Sequence, residues 1–263
     1  MNIYLKKKHL ILLSTLSGLL LTFGWPANGF PFFLFLGFVP LLFIEDYIYN
    51  NKTRFNRFSF FGYTVISMIV WNSLTTYWIY FSTAFGGIAA VLLNTILMSL
   101  TLSLFHYSRK VLKHNSAYLV FIIFWISFEY FHLHWDLSWP WMNLGNGFAN
   151  YPSLIQWYEY TGTFGGTLWI LLTNYIIFRT IKLFINKEKT VRYRTFFAAF
   201  CSDLILVPVI ISLFIYYTHK DKGILSNVVV VQPNIDPYNE KFGGMTSEQQ
   251  LAKLLNLAKQ KTD

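Results

Sequence analysis

The sequence is poor in cysteine and in charged residues. It contains one cysteine, Cys201, so a disulfide within the chain and a cysteine-based metal site are both excluded. Only 13% of the residues are charged, whereas a soluble domain usually has about 25%. So few charges cannot cover a water-facing surface, and 54% of the residues are hydrophobic. The composition therefore predicts a protein whose exterior largely faces lipid.

Several motifs of soluble enzymes and transporters are also missing. There is no P-loop, Rossmann glycine pattern, H-E-x-x-H or G-x-S-x-G, so nucleotide-driven transport and serine-hydrolase chemistry lack support. The spacing of His132, His134 and Asp136 would suit a metal ion, but no further ligand pattern lies nearby. We therefore predict no metal site and no cofactor. The formal net charge is +9, but the basic residues lie between apolar runs, so we predict no nucleic-acid binding.

Long apolar runs are abundant instead. A bilayer core about 30 Å thick requires roughly 17–25 apolar residues in a helix. In the second run Pro31 suits a first helical turn, whereas Pro40 predicts a kink or a break. Seven runs meet or approach this length and predict seven spans, at residues 9–25, 30–48, 58–81, 87–107, 117–131, 161–181 and 196–217.

Basic residues lie on alternate sides of these spans. Fifteen occur in loops on the side of the N-terminus, and none occurs in the opposite loops around residues 25–29, 82–86 and 132–160. This asymmetry predicts a cytoplasmic N-terminus and places the segment after Tyr217 outside. The first run is predicted to stay as a span because no good cleavage site follows it. The fifteen residues are Lys6, Lys7, Lys8, Lys52, Arg54, Arg57, Arg109, Lys110, Lys113, Arg179, Lys182, Lys187, Lys189, Arg192 and Arg194.

The segment after the last run has a different pattern. Residues 227–235 read N-V-V-V-V-Q-P-N-I, a β-branched run that predicts a buried strand. A polar loop at 236–244 follows, and Thr246 with Gln249 forms a capping box that begins a predicted helix at 246–261. One strand and one amphipathic helix cannot form a core, so we expect the start of an unfinished α/β domain.

Three stretches resemble one known family. Residues 24–32 (G-W-P-A-N-G-F-P-F) resemble the loop after the first helix of the apolipoprotein N-acyltransferases. Residues 138–146 (S-W-P-W-M-N-L-G-N) resemble the (F/W)-P-W-L-x-x-G segment of the same family. Residues 228–235, followed by Lys241 and Phe242, resemble the V-x-x-V-Q-x-N-I opening of the family's nitrilase-like domain. The order and positions of the three stretches span the whole chain.

The resemblance implies both a fold and an activity. The implied fold is an all-α polytopic membrane bundle of about seven transmembrane helices at 1–220, followed at 226–263 by the incomplete start of an α/β nitrilase-like domain. The implied activity, in the bacterial cytoplasmic (inner) membrane, is acyl transfer from a phospholipid to the N-terminal diacylglyceryl-cysteine of an apolipoprotein, the last step of lipoprotein maturation. The implied partners are the phospholipid acyl donor, the diacylglyceryl apolipoprotein and membrane lipids. No cofactor is implied.

The family's catalytic residues are not assigned to any position of this sequence. In the family a cysteine nucleophile, a glutamate base in a W-P-E motif and a lysine carry the reaction through a thioester. No W-P-E occurs here, so we expect all three beyond Asp263. Cys201 is not the nucleophile, because its apolar surroundings disfavour the thiolate. We expect the chain to be inactive alone, either as a fragment or as one half of a split enzyme whose C-terminal half is separately encoded.

Candidates for substrate binding come from the outer face and the tail. The Glu129 carboxylate either accepts structural hydrogen bonds or contacts a lipid headgroup. The aromatic loop at 132–160 forms an interfacial belt, or it lines a lipid approach to an outer site. A non-catalytic lipid-binding scaffold or a transporter remains the alternative function for the chain. The substrate-binding candidates are Glu129, Trp139, Pro140, Trp141, Asn143, Glu159, Lys241 and Phe242.

Overall fold

The computed structural model of the protein describes residues 5–26, 29–112, 117–187, 189–220, 223 and 226–260. The chain divides into two compact units, Met1–Thr218 and His219–Asp263. The described part of unit 1 is built from α-helices and short 3-10 turns, and that of unit 2 contains a π-helical turn at Pro237–Lys241 and one α-helix.

The apolar runs of the sequence form the helices of unit 1. An apolar segment in lipid must pair its backbone groups internally, which a helix does. Each predicted span overlaps at least one helix. The helices of the chain are α1 (Lys7–Phe23), α2 (Leu34–Gly37), α3 (Val39–Asn50), α4 (Ser59–Thr76), α5 (Ile79–Ser82), α6 (Ala84–Leu112), α7 (Ala117–Leu133), α8 (Tyr158–Ile185), α9 (Val191–Thr218) and, in unit 2, α10 (Ser247–Lys259).

Four helical segments of the described chain are long and apolar enough to cross a membrane. They are Pro31–Asn50, Ala84–Leu112, Tyr158–Ile185 and Val191–Thr218, and the shorter helix Ala117–Leu133 is also apolar. Only 6% of the apolar stretch of Val191–Thr218 is buried within the protein, as expected of a helix that faces lipid. The chain is therefore a helical membrane protein, while the full number of seven spans stays a prediction.

Pro40 interrupts the second apolar run, as the sequence predicts. Proline removes a backbone donor, and here α2 ends at Gly37 and α3 begins at Val39. The fully buried side chain of Asn174 bridges the break. Its Oδ1 accepts a hydrogen bond from the Phe38 N–H at 2.8 Å, and its Nδ2 donates to the Leu34 carbonyl at 2.7 Å. The polar backbone of the break is thus satisfied by α8.

Gly162 bends α8 near its start. Its φ of 63° and ψ of −171° lie in a region that is essentially restricted to glycine. Gly162 and Gly166 have the spacing of a helix-packing motif, but a Cβ at Gly162 would meet no atom within 4 Å. At Gly166 a Cβ would collide with the Tyr158 ring of the same helix. Gly162 therefore serves the bend and not the packing of a neighbouring helix.

Aromatic side chains fill much of the core of unit 1. Helix α1 packs against α4, α4 against α6, and α6 against α7, while α8 packs against α7 and α9. Trp71 and Trp125 are completely buried between these helices. The ring of Trp25 lies edge-on to Trp71 at 5.5 Å, and the ring of Phe38 lies edge-on to Trp125 at 4.8 Å. Offset and edge-on aromatic pairs of this kind add to the gain from burial.

Unit 2 contains the predicted helix but no strand among its described residues. Residues 226–236 have no secondary structure, and Val228 and Val230 are exposed. A strand requires a neighbour for its hydrogen bonds, and no described residue supplies one. Helix α10 begins after the predicted capping box, in which the Gln249 N–H donates to Thr246 Oγ1 at 3.2 Å. The helix prediction is therefore confirmed, and the strand is not formed.

Candidate functional site

Glu129 lies near the C-terminal end of α7 and is almost completely buried. Its Oε1 accepts hydrogen bonds from Trp125 Nε1 at 3.0 Å and from the backbone N–H of Leu144 at 2.8 Å. Its Oε2 accepts from the Thr167 hydroxyl at 2.7 Å. The carboxylate therefore joins α7, α8 and the segment that carries Leu144.

Residues 139–148, which we term the aromatic segment, fold as two 3-10 turns, Pro140–Met142 and Leu144–Phe148. Asn143 lies between the turns, and its Oδ1 accepts from the Gly145 N–H at 3.0 Å. The Tyr158 hydroxyl donates to the Gly145 carbonyl at 3.1 Å. A Cβ at Gly145 would collide with the carbonyl of Thr163, so only glycine permits this close approach. The aromatic segment is thus held closely against α8.

The structure brings some of the predicted site residues together and separates others. Glu129, Trp139 and Asn143 line one small cavity. Pro140 begins the first turn of the aromatic segment, and Trp141 is exposed, with its ring 5.9 Å from that of Trp78. Glu159 is exposed in the first turn of α8, apart from this cavity.

Lys241 and Phe242 belong to unit 2, where both side chains are exposed. The Lys241 ammonium lies 5.2 Å from the centre of the Phe242 ring. The Lys241 carbonyl accepts a hydrogen bond from Gln250 Nε2 at 3.0 Å, which ties this turn to α10. Both residues are therefore accessible to a substrate or a partner.

An apolar groove lies between α4, α5 and α6, and the sequence did not predict it. Its volume is about 350 Å³, within the usual range for ligand pockets. The sequence predicts an unbroken span at 58–81, whereas α4 ends at Thr76 and the short α5 follows. In the sequence, the cluster of tyrosines beside a double glycine is a signal that could have indicated this groove. The groove is lined by Ser73, Thr76, Tyr77, Tyr80, Phe81, Gly87, Ile88, Val91 and Leu92.

A cluster of ionisable side chains joins α3, α6 and α8, and the sequence did not predict it either. Arg109 pairs with both Glu45 and Asp46, and the Asp46 Oδ2 accepts from Lys182 Nζ at 2.7 Å. His106 Nδ1 lies 2.8 Å from Glu45 Oε1. Arg109 and Lys182 are thus not loop residues in free contact with water but partners of carboxylates. We call these five residues the ion cluster.

The H-x-H-x-D spacing does not gather ligands in the described part of the chain. His132 Nε2 lies 2.6 Å from Asn94 Oδ1, and His134 Nδ1 lies 2.6 Å from the Tyr130 carbonyl. Among the residues that the structure describes, no three histidine, cysteine, aspartate or glutamate side chains are close enough to hold a metal ion. Cys201 is a free, half-buried thiol of α9.

Comparison with known proteins decides the family. Residues 17–176 match the Apolipoprotein N-acyltransferase N-terminal domain. The chain belongs to the apolipoprotein N-acyltransferase family. The match includes the C-terminal part of α1, most of α8 and every predicted site residue of unit 1. Lys241 and Phe242 lie outside it.

Three curated apolipoprotein N-acyltransferases are similar to the chain. The protein of Chlorobaculum tepidum is 29% identical over 259 residues, which cover 94% of this chain and 45% of that protein. The protein of Borreliella burgdorferi is 30% identical over 60% of this chain and 30% of its own length. The protein of Geobacter metallireducens is 25% identical over 86% of this chain and 43% of its own length. The chain thus spans less than half the length of these relatives.

Proposed function

We propose that the chain is the membrane part of a phospholipid-dependent N-acyltransferase that matures lipoproteins in the bacterial cytoplasmic membrane. The observation that carries the proposal is the family match over residues 17–176, together with relatives named apolipoprotein N-acyltransferase. The reaction breaks an ester of the phospholipid, releases a lysophospholipid and forms an amide on the α-amino group of diacylglyceryl-cysteine. A covalent thioester would divide this transfer into two easier steps.

The role of this chain in that reaction is to bind and orient lipid. The α4–α6 groove is lined mostly by apolar and aromatic groups and lies on the surface of unit 1. Such a groove suits an acyl chain of the phospholipid donor. Trp141 is exposed on the aromatic segment, where its indole suits the interfacial zone of the membrane. Glu159 is exposed on α8, where its carboxylate suits a headgroup amine. Glu129, Trp139, Pro140 and Asn143 would hold the aromatic segment in position.

The proposed topology has seven spans, with the N-terminus in the cytoplasm and unit 2 outside. The alternation of basic residues along the sequence supports it. The outer position of unit 2 agrees with an acceptor whose lipid-bearing cysteine lies at the outer face. Unit 2 would begin the nitrilase-like domain, in which residues 228–231 pair with a neighbouring strand and Lys241 and Phe242 face substrate. The cysteine, glutamate and lysine of the reaction would come from polypeptide beyond Asp263, in the same chain or as a separate C-terminal half.

An acyl-transfer assay tests the enzymatic proposal. The chain is placed in liposomes with a labelled phospholipid and a diacylglyceryl-cysteine peptide, with and without a polypeptide that supplies the three catalytic residues. We expect acylated peptide only when that polypeptide is present. Turnover by the chain alone would contradict the assignment of its catalytic residues, and no turnover with any such polypeptide would favour a lipid-binding scaffold.

Leu92 and Leu93 provide a matched pair for testing the groove. Leu92 lines it, whereas its neighbour Leu93 does not, and both side chains are exposed. We expect Leu92→Trp to fill the groove and to reduce crosslinking by a phospholipid with a photoreactive acyl chain. Leu93→Trp should leave crosslinking at the level of the unmodified chain. Equal crosslinking of the two variants would exclude the groove as the acyl-binding surface.

A further inference from the structure

A small cavity lies between the C-terminal end of α7 and the aromatic segment. Its volume is about 10 Å³, and its lining includes Met98, Glu129, His132, Trp139, Met142 and Asn143. The side chains of His132 and Asn143 are only 4% and 5% exposed. A cavity this small accommodates one water-sized group and nothing as large as a lipid headgroup.

Three buried nitrogen atoms of the cavity residues have no hydrogen-bond partner among the described residues. They are His132 Nδ1, Trp139 Nε1 and Asn143 Nδ2. Leaving a buried polar atom unpaired is unfavourable, and native proteins rarely do so. Three such atoms on residues around one cavity therefore point to a shared polar partner.

The neighbouring hydrogen bonds define what each nitrogen offers. Asn94 Nδ2 donates to the Ala90 carbonyl at 3.0 Å, so its Oδ1 faces His132 Nε2, and Nε2 must carry the hydrogen of that contact. In neutral histidine the other nitrogen, Nδ1, is then an acceptor. Asn143 Oδ1 already accepts from Gly145, which leaves the amide donors of Asn143. The indole nitrogen of Trp139 is a donor only.

We propose that this cavity is a binding site for one buried water molecule. The water accepts hydrogen bonds from Asn143 Nδ2 and Trp139 Nε1 and donates to His132 Nδ1, so it satisfies all three nitrogens at once. A water molecule can accept two hydrogen bonds and donate one more here, and a buried water typically makes about three hydrogen bonds. The water would form a second connection between α7 and the aromatic segment, beside the one that Glu129 makes.

Radiolytic footprinting of the full chain in H₂¹⁸O tests the site directly. Hydroxyl radicals formed from a bound water oxidise nearby methionine to the sulfoxide, even where bulk solvent does not reach. Met98 and Met142 line the cavity, whereas Met68 is equally buried and does not. We expect ¹⁸O incorporation at Met142 and Met98 to be faster than at Met68. Incorporation at the same slow rate at all three would overturn the proposal.

Two substitutions separate the water from the fold around it. His132→Phe keeps a ring of similar size and removes the Nδ1 acceptor, so we expect ¹⁸O incorporation at Met142 to fall towards that of Met68. Asn94→Leu breaks the same contact to His132 Nε2 but keeps both ring nitrogens. The imidazole can then still adopt the tautomer in which Nδ1 accepts from the water, so incorporation at Met142 should persist. A folded His132→Phe variant with undiminished incorporation at Met142 would contradict the site. If that variant does not fold, the comparison of Met142 with Met68 in the unmodified chain still decides.

Discussion

At the scale of single residues, the buried carboxylate of Glu129 links three parts of unit 1. Three donors from three parts of the chain converge on its carboxylate: an indole of α7, a hydroxyl of α8 and a backbone N–H of the aromatic segment. Hydrogen bonds to a charged acceptor are stronger than those between neutral groups. All of these donors occupy carboxylate oxygens, which favours the structural interpretation of Glu129 over direct contact with a headgroup.

We expect Glu129→Leu to destabilise unit 1 strongly. The substitution leaves the Trp125 indole and the Leu144 N–H without an acceptor, at a cost of about 1–3 kcal/mol for each. The Thr167 hydroxyl can still donate to Asn143 Oδ1 at 3.3 Å. Glu129→Gln keeps one carbonyl acceptor and should cost less. Thermal unfolding in detergent, followed by tryptophan fluorescence, measures both changes. Glu159→Gln is the control, because Glu159 is exposed and its substitution should leave the unfolding temperature unchanged.

The sequence identified some of these residues and not others, for physical reasons. Glu129 was recognisable because an ionisable group within an apolar run requires a partner. Thr167 was not, because threonine is common in membrane helices and its hydroxyl often bonds within its own helix, as Thr173 does. Glu45 and Asp46 lie near the end of a predicted span, where a solvated carboxylate is unremarkable. Their cations are 63 or more residues away in sequence, so the pairing depends on tertiary structure.

At the scale of elements, one break in the helices of unit 1 coincides with a proline and one bend coincides with a glycine, whereas Pro208 lies inside α9. The break between α2 and α3 follows from Pro40, which the sequence predicts. What stabilises the break, the amide of Asn174, could not be predicted, because Asn174 is 136 residues from Phe38. The bend of α8 at Gly162 likewise could not be predicted from the sequence, since a glycine does not indicate which backbone conformation it adopts.

Gly162→Ala should destabilise the chain through the backbone alone. A Cβ at this position meets nothing within 4 Å, so no side-chain collision contributes, but the conformation with φ of 63° costs a residue other than glycine about 1–3 kcal/mol. Thermal unfolding in detergent measures the loss. Gly62→Ala is a matched control, because its Cβ also meets nothing, yet Gly62 lies inside α4. Alanine in a helix is favoured by up to about 1 kcal/mol, so this variant should be unchanged or more stable.

At the scale of the whole molecule, the ion cluster ties together helices that lie far apart in sequence. The Arg109 guanidinium, which pairs with two carboxylates, also lies 4.1 Å from the centre of the Tyr49 ring and 4.6 Å from that of Tyr118. These contacts join α3, α6 and α7, and Lys182 adds α8 through Asp46. The two carboxylates balance the two permanent cations, so the cluster carries little net charge as a unit.

Arg109→Met is expected to be among the most destabilising single changes in unit 1. It leaves Glu45, which is completely buried, without its cation, and removal of one partner of a buried ion pair costs about 3–5 kcal/mol. Chemical or thermal unfolding in detergent measures the effect. Lys110→Met provides the comparison at the next position, outside the cluster, and should have little effect. Similar unfolding of the two variants would show that the cluster contributes little to stability.

The side of the membrane on which unit 2 lies can be measured with reporter enzymes fused after Asn227. We expect alkaline phosphatase to be active at this position and β-galactosidase to be inactive, because the basic residues of the preceding loops favour the cytoplasm. Fusions in the 182–194 region should give the opposite pattern and serve as the control. An active β-galactosidase at Asn227 would contradict the proposed topology and, with it, the outer position of unit 2.

The members of the ion cluster are translated at widely separated times. Glu45 is translated 64 residues before Arg109, and Asp46 is translated 136 residues before Lys182. The early helices are therefore synthesised before their carboxylates have these cations. Only after the ribosome has passed residue 182 is the full set of partners present. Assembly of the N-terminal helices is thus completed late, by a helix that the ribosome makes near the end of unit 1.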